Sequence, residues 1–441
     1  MIDTIAVEDQ KVPAVGLANE DFMNDANAAA ANNGMPTVRI LPETVPTECN
    51  VAELIEAGVE KVMDAIVDGL TRPVTDAEAS PKPVKTDSGE GIAFQGSIEE
   101  VNRFFYKRKW TDGLPILPPT DAAVAEMLTG TDLAPDHIVG KITPRFGKAT
   151  VEKIAINAVM AGALPIHMPV LIAGVEALVD PLADFGTYSV STGSWAPTWI
   201  INGPIRKDIN LNSGSGMLSP GDIANSAIGR ALALIIRNIG GARKGIEDMG
   251  VMGNPGRYAS VIAENEEASP WAPMHTEAGF APDDSTITVF FPNSYSQVWP
   301  YRTNAEGVLT TVTSNVIPGR AGLFCLVMNP ANARLLAKEG WEKEQIKAHI
   351  SEYARVPAFK HPAYYGAVIG QLPKESIPLH AMESQRIIRY PDWIKIVVAG
   401  GAGSFMGLLT GGSVNKQLGW PARKIQLPAN WKALVKKYGR I

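Results

Sequence analysis

Residues 322–338 read GLFCLVMNPANARLLAK. Gly322–Met328 is a strand candidate, Asn329-Pro330 turns the chain, and a helical run follows to Lys338. The segment is a strand-turn-helix unit. Outward from it, Thr198–Ile201, Ser285–Phe291 and Trp393–Ala399 are further strand candidates, and helical segments alternate with them from residue 138 onward. The fold class that follows is α/β, with α+β as the alternative if the sheets prove antiparallel. The clearest helix spans Pro220–Asn238, with Ser219 as N-cap, Pro220 at the first helical position and Gly240-Gly241 as its stop.

The N-terminal residues form a smaller pattern. Val12–Leu17 and Thr37–Leu41 read as strands, Asp21–Asn33 as a helix, and Val51, Leu54, Ile55, Val59, Val62, Met63, Ile66, Val67 and Leu70 recur at helical spacing. Residues 1–72 are thus a partial α/β unit, too small to cover both faces of a sheet. It docks on the rest of the molecule or another chain completes it. Residues 73–96, rich in Pro, Ser, Gly and charge, read as a linker. Residues 97–441 form the main α/β region, with 280–320 as the place where two subdomains would part. Ser97 and Glu100 have capping-box spacing and open a helix through Lys107.

Composition excludes several classes. With 441 residues, 45% apolar and 20% charged, the chain is an ordinary globular one of two or three domains. Forty Lys+Arg against 46 Asp+Glu give a net charge of −6, with no basic stripe for a nucleic acid. The two cysteines, Cys49 and Cys325, are too far apart for a CxxC pair, and their scarcity fits a reducing, cytoplasmic setting. Ile154–Val175 carries no charge and is long enough to cross a bilayer. Pro165, His167 and Pro169 interrupt it, so it reads as two buried segments joined by a turn, and no membrane association is expected.

Five clusters are candidates for chemistry. Asp112, in Trp110-Thr-Asp-Gly, is a turn residue or a substrate contact. Asn202, then Asn212, Ser213 and Gly214, lead through a glycine-rich loop to the Pro220 helix, where free amides and the helix dipole suit an anion. Without GxxxxGK[ST], that loop is not a P-loop. Arg230 on the same helix is a carboxylate clamp or a salt-bridged helix residue. Glu264, Glu266 and Glu267, with His275 just beyond, form a proton-transfer or metal-ligating set, or else a solvated acidic loop. In an extended segment Glu264 and Glu266 share a face. Gly401, in VVAGGAGSF (397–405), follows a strand where α/β proteins meet ligands, but the pattern is not GxGxxG and gives no support for a nucleotide. His167, between two prolines, is a core residue or a base. Cys325 sits in an apolar strand and reads as inert packing, while Cys49 follows Glu48 near a helix start.

Several phrases resemble the UGSC-motif family, in which Sec or Cys, Gly, Ser and Cys form a redox-type loop. NAAAANNGMPTVRILPETVP (27–46) and DAIVDGLTRPVTDAE (64–78) are similar to the latter part of that domain. WTDGLPILPPT, TVEKIAINAVMAGALP, IINGPI, NSAIGRALALIIRNIGG, NPGRYASVIAENEEASPW and VVAGGAG resemble the larger region that accompanies it. The UGSC loop itself is missing, and Ala163 stands in the MAGx turn where relatives carry Cys, so no thiol role passes to a residue here. The resemblance implies a subunit of a thiol-dependent hetero-oligomeric enzyme that cleaves or reduces a bond in a small organic acid. A partner then supplies the thiol and this chain the pocket, with Asn212, Ser213 and Gly214 on the anion, Glu264 or Glu266 moving protons, and Asp112 with Arg230 orienting the substrate. The alternatives are a stand-alone, homo-oligomeric hydrolase or lyase using a divalent metal on Glu264, Glu266, His275 and Asp112, and a non-catalytic scaffold subunit.

Overall fold

A computed structural model describes residues 2–43, 45, 51–79, 92–317, 322–360, 382–411 and 419–439. Cys49 and residues 80–91 of the expected linker lie outside them. The strands, in chain order, are β1 (Gly16–Asn19), β2 (Ile40–Glu43), β3 (Ile138–Ile142), β4 (Gly147–Thr150), β5 (Thr198–Asn202), β6 (Val261–Ala263), β7 (Thr286–Phe290), β8 (Ser294–Val298), β9 (Phe324–Met328), β10 (Arg355–Pro357), β11 (Ser384–Arg386), β12 (Ile394–Val398), β13 (Met406–Thr410) and β14 (Ala422–Lys424).

The class is α/β, built around two four-stranded mixed sheets. In the first, ordered β14-β7-β5-β6, β5 and β6 run parallel; in the second, ordered β12-β9-β13-β8, β12 and β9 run parallel. Strict alternation within the strands turns these sheets into the two middle layers of a sandwich. Trp199 and Ile201 face one core while Ile200 faces another; Phe324, Leu326 and Met328 face outward while Cys325 and Val327 face inward. The inward set, Ile200, Ile262 and Phe290 against Cys325, Val327, Val397 and Leu409, is the dry seam between the sheets. Helices Val151–Ala161, Met168–Leu178, Ile223–Ile235 and Trp431–Tyr438 cover the outer face of the first sheet, and Ala305–Asn315, Pro330–Lys338 and Lys343–Tyr353 that of the second. The order is helices, sheet, sheet, helices. The chain passes from the first sheet to the second between β7 and β8 and comes back at β14.

The uncharged stretch 154–175 is two buried helices joined by a 3-10 turn, Pro165–His167. Among the described residues no helix is long and apolar enough to cross a membrane. The helix expected over Pro220–Asn238 is shorter. Gly221, at φ +140°, separates Pro220 from the helix, which starts at Ile223, ends at Ile235 and continues as a π-helical turn, Ile236–Gly240. Ser219 does not cap it, because the later start places Asp222 at the N-cap position. The capping box at Ser97 forms, with Ser97 N–H to Glu100 Oε2 at 2.8 Å, and opens the helix Ile98–Lys107.

The N-terminal unit is a two-stranded parallel sheet, β1-β2, with the helices Met23–Asn32 and Ala52–Thr71. Each strand begins later than expected, at Gly16 and Ile40; Pro13, lacking an N–H, and the turn at Pro36-Thr37 hold back the pairing. Glu78 pairs with Arg39 at 3.1 Å and Arg72 at 2.9 Å, tying residues 72–78 to this unit. The unit reaches the main region where Arg145 Nε meets Asn32 Oδ1 at 3.4 Å.

Candidate functional site

Three places gather polar or ligand-sized features. The first is a buried charge cluster at the carboxyl ends of β5 and β6. Asn202 ends β5, and its side-chain amide donates to Glu264 Oε2 at 2.5 Å and to Glu266 Oε1 at 3.1 Å. Glu264 has no exposed surface. It also accepts the Met274 N–H at 2.7 Å and faces Lys343 Nζ at 3.4 Å. Glu266 accepts the Gly203 N–H at 2.7 Å and pairs with Arg206 at 2.8 Å. Arg206, itself buried, bridges onward to Glu267 at 3.2 Å. The carboxylates are therefore answered by two buried cations and several N–H donors. Such a set does not fit a divalent ion, and no group of three or more metal-capable side chains occurs among the described residues. His275 is buried beside this cluster in sequence, but its ring turns away: Nε2 donates to the Ala281 carbonyl at 2.9 Å, and neither glutamate reaches it.

The second place is a cleft of about 390 Å³ beside the carboxyl ends of β9 and β12. Two glycine-rich turns border it, Gly214–Ser219 and Ala399–Gly403. They touch: the Gly400 N–H donates to the Ser213 carbonyl at 2.9 Å, and a Cβ on Gly401 would stand 2.7 Å from the Ser215 Cβ. Gly214 and Gly401, from separate sequence clusters, thus meet at one cleft. Asn212 serves the turn itself, since its amide donates to Ser215 O at 2.9 Å and Asp222 Oδ2 at 2.8 Å.

The third is a cavity of about 310 Å³ against the π-helical turn. Its wall is a run of rings: Phe185 stacks on Phe291 at 5.5 Å, Phe291 on Tyr188 at 4.6 Å, and Tyr188 meets Trp195 edge-on at 5.3 Å. Arg237, Lys244 and Arg257 also line it. Arg257 is paired with Asp248. Arg237 forms no ion pair among the described residues; its Nε donates to the Lys109 carbonyl at 3.2 Å. Burial pulls the Arg237 pKa below the ordinary arginine value, with the charge of Asp112 opposing and that of Arg243 adding. Asp112 borders the same cavity but is occupied: Arg230 grips both its oxygens, Nε to Oδ2 at 2.8 Å and Nη2 to Oδ1 at 3.0 Å. Burial of Asp112 disfavours its charge, yet the Arg230 contacts outweigh this and hold the pKa below the usual carboxylate value.

The structure therefore joins Asn202 to Glu264 and Glu266, Asp112 to Arg230, and Gly214 to Gly401, in three separate places. Sequence reasoning missed Arg206 and Lys343, the cations that answer the glutamates, and all of the aromatic cavity except Asp112 at its border. Arg237 carried a local signal, being a lone cation in the apolar run Ala231–Ile239, whereas the four rings are scattered over Phe185–Phe291 and share none. His167 is buried, accepts the Leu164 N–H at Nδ1 (3.1 Å), and is held neutral by burial, its pKa pushed down to about 3. Cys325 is fully buried, and burial, with Glu264 nearby, pushes its thiol well up from the ordinary value.

Residues 1–72 match the model of the UGSC family. No curated protein and no solved structure matches the chain. The family match covers the N-terminal unit and includes none of the residues of the cluster, the cleft or the cavity.

Proposed function

We propose that this chain is the substrate-binding subunit of a hetero-oligomeric, thiol-dependent enzyme acting on a small organic acid with a flat apolar body. The observation that carries the reading is Arg237, a half-buried guanidinium with no carboxylate partner among the described residues, on the wall of a cavity lined by five aromatic rings, Tyr258 beside the four that pack together. A desolvated, unpaired arginine is costly unless an anion completes it, and its fork matches a carboxylate. Lys244, on the same rim, adds a second positive charge, and the rings supply the apolar contact that holds the body of the acid. The volume suits a molecule of roughly ten to fifteen non-hydrogen atoms.

The catalytic thiol comes from another polypeptide in this reading. Cys325 supports that, since a thiol buried in a sheet with its pKa raised supplies no thiolate. The satisfied glutamate cluster supports a structural role for Glu264 and Glu266 in place of metal ligation or proton transfer. In the assembled enzyme this chain fixes the acid by its carboxylate and excludes water from its ring face, while the partner's thiolate reaches the scissile bond.

The test is a titration followed by tryptophan fluorescence, which Trp195 in the wall should report, with benzoate as probe. Saturable binding is expected, and Arg237→Met should weaken it roughly 10- to 100-fold, the worth of a hydrogen bond to a charged group. The thermal midpoint should barely move, because the Arg237 side chain makes one hydrogen bond among the described residues. Benzoate binding that ignores Arg237→Met would overturn the assignment. Native mass spectrometry of the protein from its own source then decides the subunit claim: a second, thiol-bearing chain supports it, and an active homo-oligomer sinks it.

A further inference from the structure

The glycine cleft between Gly214–Ser219 and Ala399–Gly403 is separate from the aromatic cavity, sharing no residue with it. The amide N–H groups of Ser215, Gly216, Leu218, Gly401, Ala402 and Gly403 donate to no described residue, while those of Gly214, Met217, Ser219 and Gly400 do. Two turns from distant parts of the chain thus bring six residues with N–H groups unpaired among the described residues to one cleft. Gly216 at φ +69° and Gly403 at φ +139° hold conformations that a side chain would strain. The close approach of Gly401 to Ser215 leaves no room for a Cβ there. Small residues are used where the backbone itself must come near.

The remaining lining settles the ligand class. Among the described residues no Asp, Glu, Lys, Arg or His borders the cleft, so none of them repels an anion by a carboxylate or binds one by a side-chain cation. Backbone donors of this kind suit a phosphate, whose several oxygens accept from successive N–H groups. At the mouth stand two half-exposed rings, Tyr295 and Phe405, and Phe405 is braced edge-on by Trp299 at 5.6 Å. Exposed rings beside a polar cleft offer a stacking face for a planar heterocycle. The position, outside the carboxyl ends of the parallel pair β9 and β12, is where open α/β sheets receive ligands.

We infer that this cleft binds a phosphate monoester bearing a flat ring, of the nucleoside monophosphate kind, with the two glycine turns on the phosphate and Phe405 and Tyr295 on the ring. The inference does not depend on the organic acid cavity.

Calorimetric titration of the full chain with adenosine 5′-monophosphate, inorganic phosphate and adenosine tests it. The monophosphate should bind at least tenfold more tightly than either fragment. Phe405→Ala, at a half-exposed position, should weaken the monophosphate about tenfold and leave inorganic phosphate unchanged. Gly401→Ala, which forces the turns apart, should weaken both, and circular dichroism shows whether that variant is folded. Arg237→Met should leave monophosphate binding intact. No binding of the monophosphate at millimolar concentration, or binding indifferent to Phe405→Ala, would overturn the inference, as would monophosphate binding lost with Arg237→Met.

Discussion

A carboxylate with no exposed surface has to be answered by donors, and Glu264 takes a lysine, an amide side chain and a backbone N–H. Its residue type and its pairing with Glu266 were legible, because an extended segment puts both on one face. The partners were not: Arg206 and Lys343 lie far off in the chain, and only the parallel pairing of β5 with β6 and the seam between the sheets bring them in. His167 shows the same division. Its flanking prolines announced a turn, but its neutrality comes from burial. With a folded pKa of about 3 against an ordinary 6.5, the folded protein refuses a proton that the unfolded chain accepts below pH 6.5. The stability is therefore whole above pH 6.5 and falls as pH drops toward 3, by about 1.4 kcal/mol per pH unit. His167→Gln keeps an acceptor for the Leu164 N–H and removes the titration. Between pH 7 and pH 5, urea unfolding should show the parent losing about 2 kcal/mol more than the variant. Parallel curves would mean that His167 is not held neutral.

At the scale of elements, caps and alternation read well and boundaries set by neighbours read badly. Ser97 and Glu100 specify a helix start locally, and the structure has it there. The Ile223 helix loses its first turn to Gly221 and to the contacts that draw Asn212 onto Asp222, which no local pattern announces. The helix Ala52–Thr71 was legible in full from its periodicity, yet only Val59, Val62 and Ile66 of its apolar set are partly covered, while Leu54 is 50% exposed, Met63 45% and Val67 51%. Periodicity shows that a face is apolar, not that anything covers it. Leu54→Lys and Met63→Lys should each change the chemical stability of the isolated chain by no more than about 0.5 kcal/mol. A loss above about 1.5 kcal/mol in urea unfolding, together with a fall in sedimentation coefficient, would show that a second chain covers this face.

For the molecule as a whole, the α/β class followed from the alternation of elements, but the pairing of the sheets did not, since it rests on contacts between residues hundreds of positions apart. The tail is the plainest case. Residues 422–424 form the edge strand beside β7, and Ile425, Trp431, Leu434 and Tyr438 are buried in the core of the first sheet. A chain ending at residue 419 should lose hydrogen-exchange protection in β5 and β7 and keep it in β9 and β12. Equal loss in both sheets would show that the two cores unfold as one. The same tail sets an order in time. The second sheet has all its described strands once Thr410 has been made, whereas the first, though its strands begin at Thr198, waits for β14 and the helix Trp431–Tyr438. During synthesis, where the earlier part of a polypeptide ordinarily folds first, the later-made half of this one is complete before the earlier. Until residues 422–438 have been made, the older half keeps an open strand edge and an uncovered apolar face, which makes that interval its most aggregation-prone stage.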